Sequence, residues 1–125
     1  MAKAAVKDIK WLPGVEEHMY PAAESYLSLI YGAEKVSASM AKFRRAAIVQ
    51  FKAKDIFRAS QLSLLGVSNS HVEKDRRKIS AGKGFSPLLL LRDQQNSKVI
   101  VADGYHRLCA IYSFNEDALI RCKIV

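Results

Sequence analysis

Five consecutive residues, Asp103-Gly104-Tyr105-His106-Arg107, bring together a carboxylate, a flexible backbone position, a phenol, an imidazole and a guanidinium. They follow the apolar run Val99 to Ala102 and precede Leu108-Cys109-Ala110, so a strand runs through a glycine turn straight into a helix. That junction suits an anion. The unbonded N–H groups of a helix's first turn and the positive end of its dipole point at one place, and Gly104 lets the backbone bend sharply and come close. Arg107 matches the paired oxygens of a phosphate, while His106 can donate a hydrogen bond or carry a proton. Asp103 has two roles open to it: accepting backbone hydrogens to hold the loop, or sharing a hydrated Mg2+ ion with a bound phosphate. A plainer arrangement has Asp103 capping the helix, with His106 and Arg107 as surface residues of its first turn.

Charge elsewhere points to a second chemistry. The chain carries 20 Lys and Arg against 12 Asp and Glu, a formal net charge of +8, and residues 42–92 hold 12 of the bases with 3 of the acids. Arg44, Arg45, Arg76 and Arg77 form two clusters in that stretch. Clustered bases are a footprint of nucleic-acid binding, because each neutralised phosphate releases counterions, yet solvated helix faces carry the same charges. Few aromatic residues interleave with them, which gives little support for base stacking. Lys83, between Gly82 and Gly84, sits on a flexible turn from which it would reach a phosphate held by Arg107, although the spacing is not that of a Walker motif. His71 and His18 have no second histidine or carboxylate at a useful spacing and read as incidental. Cys109 and Cys122 form no zinc-ligand spacing and read as buried thiols.

These residues need a scaffold, and 125 residues supply one compact domain. Half of them are apolar and 26% charged, the profile of a packed chain. The apolar run Pro87 to Leu91 is far short of the roughly 20 residues that span a bilayer, and Met1 to Lys10 lacks the apolar core of a signal peptide. No membrane partner and a cytoplasmic location are expected. After an arm around Trp11, Pro13 and His18, a helix from Pro21 to Gly32 turns Ala23, Tyr26, Leu27 and Ile30 inward. A second helix follows, with Val36, Met40, Phe43 and Ala47 on one face. Ala47 to Phe51 reads as a strand and Asp55 to Ser60 as a helical turn with Ile56 inward. Ser70 and Glu73 have capping-box spacing, opening a helix to about Ala81 that Gly82 and Gly84 end. Leu88 to Leu91, without alternation, reads as a central strand buried on both faces. Val99 to Val101, a helix from Tyr105 to Phe114 and an alternating strand from Leu119 to Val125 complete an α+β or mixed α/β domain with one small sheet.

The Asp103-Gly104-Tyr105-His106-Arg107 segment, followed by Ala110, resembles the signature of the ParB/sulfiredoxin-like superfamily. The resemblance extends back through Lys78-Ile79-Ser80-Ala81-Gly82-Lys83 and Ser86-Pro87-Leu88-Leu89-Leu90, covering residues 47–125 and leaving 1–46 as a helical N-terminal extension. It implies a small mixed sheet flanked by helices and a nucleotide-phosphate pocket at the glycine junction. Members include CTP-binding partition proteins, ATP-dependent sulfiredoxins, free-serine kinases and nuclease-like domains, and a shared fold does not choose among them. Sulfiredoxins place a cysteine where this chain has Tyr105, so reduction of sulfinic acids is not expected. The kinases use a glutamate in the loop that corresponds to Leu64 to Ser70, and no carboxylate stands there. The expectation is therefore a domain binding a nucleotide or other phosphorylated ligand at Asp103, Gly104, Tyr105, His106, Arg107 and Lys83, with Mg2+ accompanying the nucleotide and phosphoryl transfer or hydrolysis open. The alternatives are a nucleic-acid-binding or nuclease-like protein using segment 42–83, and a noncatalytic interaction domain.

Overall fold

The computed structural model describes residues 8–66 and 68–125; Val67 and most of the amino-terminal stretch read for a leader lie outside them. The elements are α1 (Met19–Leu27), α2 (Ala33–Arg45), β1 (Val49–Lys52), α3 (Ala53–Ser60), α4 (Ser70–Ser80), β2 (Leu88–Asp93), a 3-10 turn (Gln94–Asn96), β3 (Lys98–Asp103), α5 (Tyr105–Phe114) and β4 (Leu119–Ile124). The strands form one mixed sheet in the order β1-β4-β2-β3. β4 runs antiparallel to β1 and parallel to β2, and β2 runs antiparallel to β3.

The unbroken apolar run of β2 has a direct physical reason. Successive strand residues point to opposite faces, and both faces are covered. Leu88 and Leu90 join Ile56, Val72, Ile79, Leu108, Ile111 and Ile120 in one core, whereas Leu89 and Leu91 join Tyr20, Leu27, Val36, Phe43 and Ile100 in another. Helices α3, α4 and α5 therefore close one face and α1 and α2 the other. Each fully buried leucine of β2 contributes roughly 1.5–3 kcal/mol relative to exposure. The first helices thus cap a sheet face that water would otherwise reach. No helix among the described residues is long and apolar enough to cross a membrane.

Three expectations about these elements need correcting. α1 starts at Met19 and ends at Leu27, and it buries Tyr20, Ala23 and Leu27; Tyr26 and Ile30 are 43% and 44% exposed. Both stripes pass through Ala23 and Leu27, and packing on β3 selects the one containing Tyr20. In α2 Val36 and Phe43 are buried with Ser39, and Met40 packs partly buried against the same core, but Ala47 lies outside the helix, which ends at Arg45. The start of α4 is capped by Asn69, whose Oδ1 accepts from the N–H groups of His71 and Val72 at 3.0 and 3.2 Å. Ser70 is already helical, and Glu73 instead accepts from Arg77 Nε at 3.3 Å, so the Ser70/Glu73 box does not form. Cys109 and Cys122 are free and buried, and burial pushes the Cys122 thiol up to about 12.

Candidate functional site

The strand-to-helix junction is built as its residues suggest. β3 ends at Asp103, Gly104 takes φ +110°, and α5 begins at Tyr105. A side chain at Gly104 would stand 2.4 Å from Leu88 Cγ and 2.8 Å from Arg107 Nη2, on a backbone that L residues rarely adopt. Glycine is required here twice over. No side chain caps α5, so the N–H groups of its first turn stay available.

Arg107 folds back over this glycine. Its Nη2 donates to Asp103 Oδ2 at 2.9 Å, with the two side chains 11% and 16% exposed, and its Nη1 lies 3.5 Å from Met19 Sδ. Nε is buried without an acceptor among the described residues. Asp103 accordingly does not cap the helix; it lines the cleft with its Oδ2 paired to Arg107. Among the described residues, no three His, Cys, Asp or Glu side chains are placed to hold a metal ion.

The facing wall comes from α4. His71, Lys74, Asp75 and Lys78 recur at i, i+3, i+4 and i+7, which puts them on one helix face, and all four line the same cleft as Asp103, Gly104, Tyr105, His106 and Arg107. Neither lysine forms an ion pair among the described residues. The His71 and His106 rings lie 4.8 Å apart between centroids. Burial, then the neighbouring His71 and Arg107, lower the pKa of His106 against an opposing pull from Asp75, favouring the neutral imidazole. Asp75 is 9% exposed, and burial raises its pKa despite nearby Lys78, Arg107, His106 and Lys74. The third wall is the arm before α1, fixed where Glu16 N–H donates to Ser86 Oγ at 3.0 Å and where Trp11 bridges to Phe85. The cleft, open on one side, measures about 210 Å³ and mixes charge, with Lys74, Lys78 and Arg107 set against Glu16, Asp75 and Asp103.

Of the sequence candidates, Asp103, Gly104, Tyr105, His106 and Arg107 converge on this cleft and Lys83 does not; its side chain is exposed on the turn after α4, and Lys74 and Lys78 occupy the wall instead. Tyr105 lines the cleft, and its hydroxyl donates to the Ser63 carbonyl, tying α5 to the loop after α3. His71, read as incidental, lies on the cleft wall with the His106 ring 4.8 Å away and Asp75 one helical turn on. The missed signal was the ionisable i, i+3, i+4, i+7 stripe, together with an aspartate between Val72 and Ile79 on the buried side of α4.

The four arginines of the alternative reading do not share a surface. Arg44 and Arg45 end α2 on one face of the sheet, and Arg76 and Arg77 belong to α4 on the other. Arg44 pairs with Glu17 at 2.6 Å and lies over the Tyr20 ring. Arg77 pairs with Glu73, and Arg76 covers the Phe114 ring while donating to Ser113 Oγ. Compared with protein-family models, curated proteins and solved structures, the chain matches none.

Proposed function

We propose that this chain is a ParB/sulfiredoxin-like domain that binds a small phosphorylated ligand in the cleft between α4 and the β3–α5 junction. One observation carries the reading: the first turn of α5, without a side-chain cap among the described residues, and Lys74 and Lys78 of α4, without an ion pair among them, open onto the same cleft. Backbone donors at a helix start and two ammonium groups are a recurrent way to hold phosphate oxygens. Arg107 is spoken for by Asp103, so it shapes the floor of the cleft more than it reaches for a ligand. At about 210 Å³ the cleft is smaller than the 300–1,000 Å³ typical of pockets enclosing a whole drug-sized molecule, and it fits the phosphate end of a nucleotide or a compact phosphorylated metabolite. For phosphoryl transfer or hydrolysis, His106 is the group suited to accept a proton, since its surroundings favour the neutral ring.

The test is a thermal-shift series with inorganic phosphate, pyrophosphate and nucleoside mono-, di- and triphosphates, each with and without magnesium. A ligand at 100 times its Kd adds about 2.7 kcal/mol to the native state. The expected result is a rise in Tm for at least one phosphorylated compound, lost in Lys74→Gln/Lys78→Gln. Arg107→Ala is the wrong probe, because it would also remove the partner of Asp103. No shift with any compound, or an equal shift in the lysine variant, refutes the assignment.

A further inference from the structure

Away from the cleft, β1 is the barest strand of the sheet: all four of its residues are exposed and it pairs on one side only, with β4. The Ala53 N–H donates to the Ala118 carbonyl at 2.9 Å, and counting back by twos turns the main-chain groups of Phe51 and Val49 toward β4. The N–H and C=O of Gln50 and the N–H of Lys52 point outward, where nothing pairs with them in the sheet, while the Lys52 carbonyl opens α3 as its N-cap. Side chains alternate along the same edge, and each face offers a hollow. Phe51 borders one of about 270 Å³ whose walls include Ile56, Leu90, Val99 and Ile124, with Asp55 and Arg92 also lining it. Gln50, on the opposite face, borders one of about 380 Å³ that also takes in Trp11, Asn115 and Arg121. Arg121 Nε is buried without an acceptor, and among the described residues the guanidinium makes no ion pair, although Asp8 lines the same hollow.

An open edge flanked by one apolar and one cationic hollow has the form of a strand-addition site, in which main-chain bonds give affinity and alternate side chains give selectivity. We propose that β1 takes up an extended segment of a partner protein that alternates apolar and acidic residues, the apolar ones over Phe51 and the acidic ones toward Arg121. Charge decides the occupant. A second copy of this chain would bring its own Lys52 toward the face that already carries Lys52 and Arg121, and like charges across a strand pair repel. A segment bearing carboxylates on that face sets its negative charge toward the Arg121 guanidinium, which makes no ion pair among the described residues.

The probe is a fluorescein-labelled seven-residue peptide alternating leucine and glutamate, followed by anisotropy on the full chain, with leucine/lysine and leucine/glutamine peptides beside it. The leucine/glutamate peptide is expected to bind at least about tenfold tighter than the leucine/lysine one. Arg121→Gln should remove about tenfold of that affinity and leave the leucine/glutamine peptide unaffected. Gln50→Pro deletes an outward N–H at an edge position that tolerates proline, and it should weaken every peptide. Backbone N-methylation of the peptide tests the same bonds on the unaltered chain, independently of how that variant folds. Absence of binding, equal binding of the glutamate and lysine peptides, indifference to N-methylation, or a homodimer in sedimentation that Gln50→Pro abolishes would each overturn the proposal.

Discussion

Replacing Asp103 with Asn keeps the shape of the side chain and removes the charge that faces Arg107. The two groups stand 2.9 Å apart with side chains 11% and 16% exposed, so the pair is shielded from water without being sealed. At about 4 Å between charge centres the attraction is about 4 kcal/mol in a near-surface dielectric and about 1 kcal/mol in water. Removing one partner of a fully buried pair costs about 3–5 kcal/mol. Residual exposure and the hydrogen bond that an amide oxygen still accepts bring the expectation to about 2 kcal/mol, or about 8 °C in Tm for a chain of this length. The loss should depend on the anion present. With Asp103 neutral, a phosphate in the cleft meets an unopposed guanidinium, and binding tenfold tighter than to the wild-type protein returns up to about 1.4 kcal/mol of the gap. Urea denaturation of both proteins in chloride and in phosphate at matched ionic strength separates the two effects. The variant should be less stable in chloride, and phosphate should close much of the gap. A destabilisation below about 0.5 kcal/mol would show that the pair does not matter to the fold. A gap that phosphate leaves unchanged would show that no anion reaches Arg107.

Three further outcomes follow from the same geometry. Gly104→Ala should cost about 2–5 kcal/mol, from the unfavourable backbone and the clash with Leu88, and in a double-mutant cycle Leu88→Ala should recover part of it; strict additivity would mean that the 2.4 Å approach is not what requires glycine. Because burial lowers the His106 pKa, the unfolded chain binds that proton more readily, so stability should fall as pH drops from 7 through 6.5 toward the lower folded-state value. His106→Gln should flatten that part of the profile in denaturation experiments, and an unchanged slope would assign it to another group. Asp75 has the opposite sign: burial raises its pKa, the ionised form is penalised in the fold, and stability is regained as the carboxyl protonates. Asp75→Asn should therefore be neutral or stabilising at pH 7, and a loss above about 1 kcal/mol would mean that its carboxylate makes a favourable contact.

How much could be foreseen differs by residue, for reasons that are local or not. The strand–glycine–helix junction at residues 98–114 was legible because each of its parts is set within a few residues: apolar run, φ-permissive glycine, helical periodicity. The double-sided burial of Leu88 to Leu91 was legible too, since only a strand covered on both faces dispenses with polar positions. The cap of α4 was misjudged by one residue, as Asn69 and Ser70 both have capping side chains and hydrogen-bond geometry alone separates them.

The cleft itself lay beyond such reasoning. Local pattern placed His106 and Arg107 at a helix start, but the pairing of α4 with α5 brings His71 to His106 across a sequence gap of 35 residues and sets Lys74 and Lys78 where Lys83 was expected. Whether Arg107 reaches outward or closes on Asp103 likewise depends on Leu88, Gly104 and Met19 meeting around it from three separate elements. Covalent neighbours restrict a residue's backbone; which distant charges it faces is settled by how helices pack on a shared sheet, and that packing is a property of the whole chain.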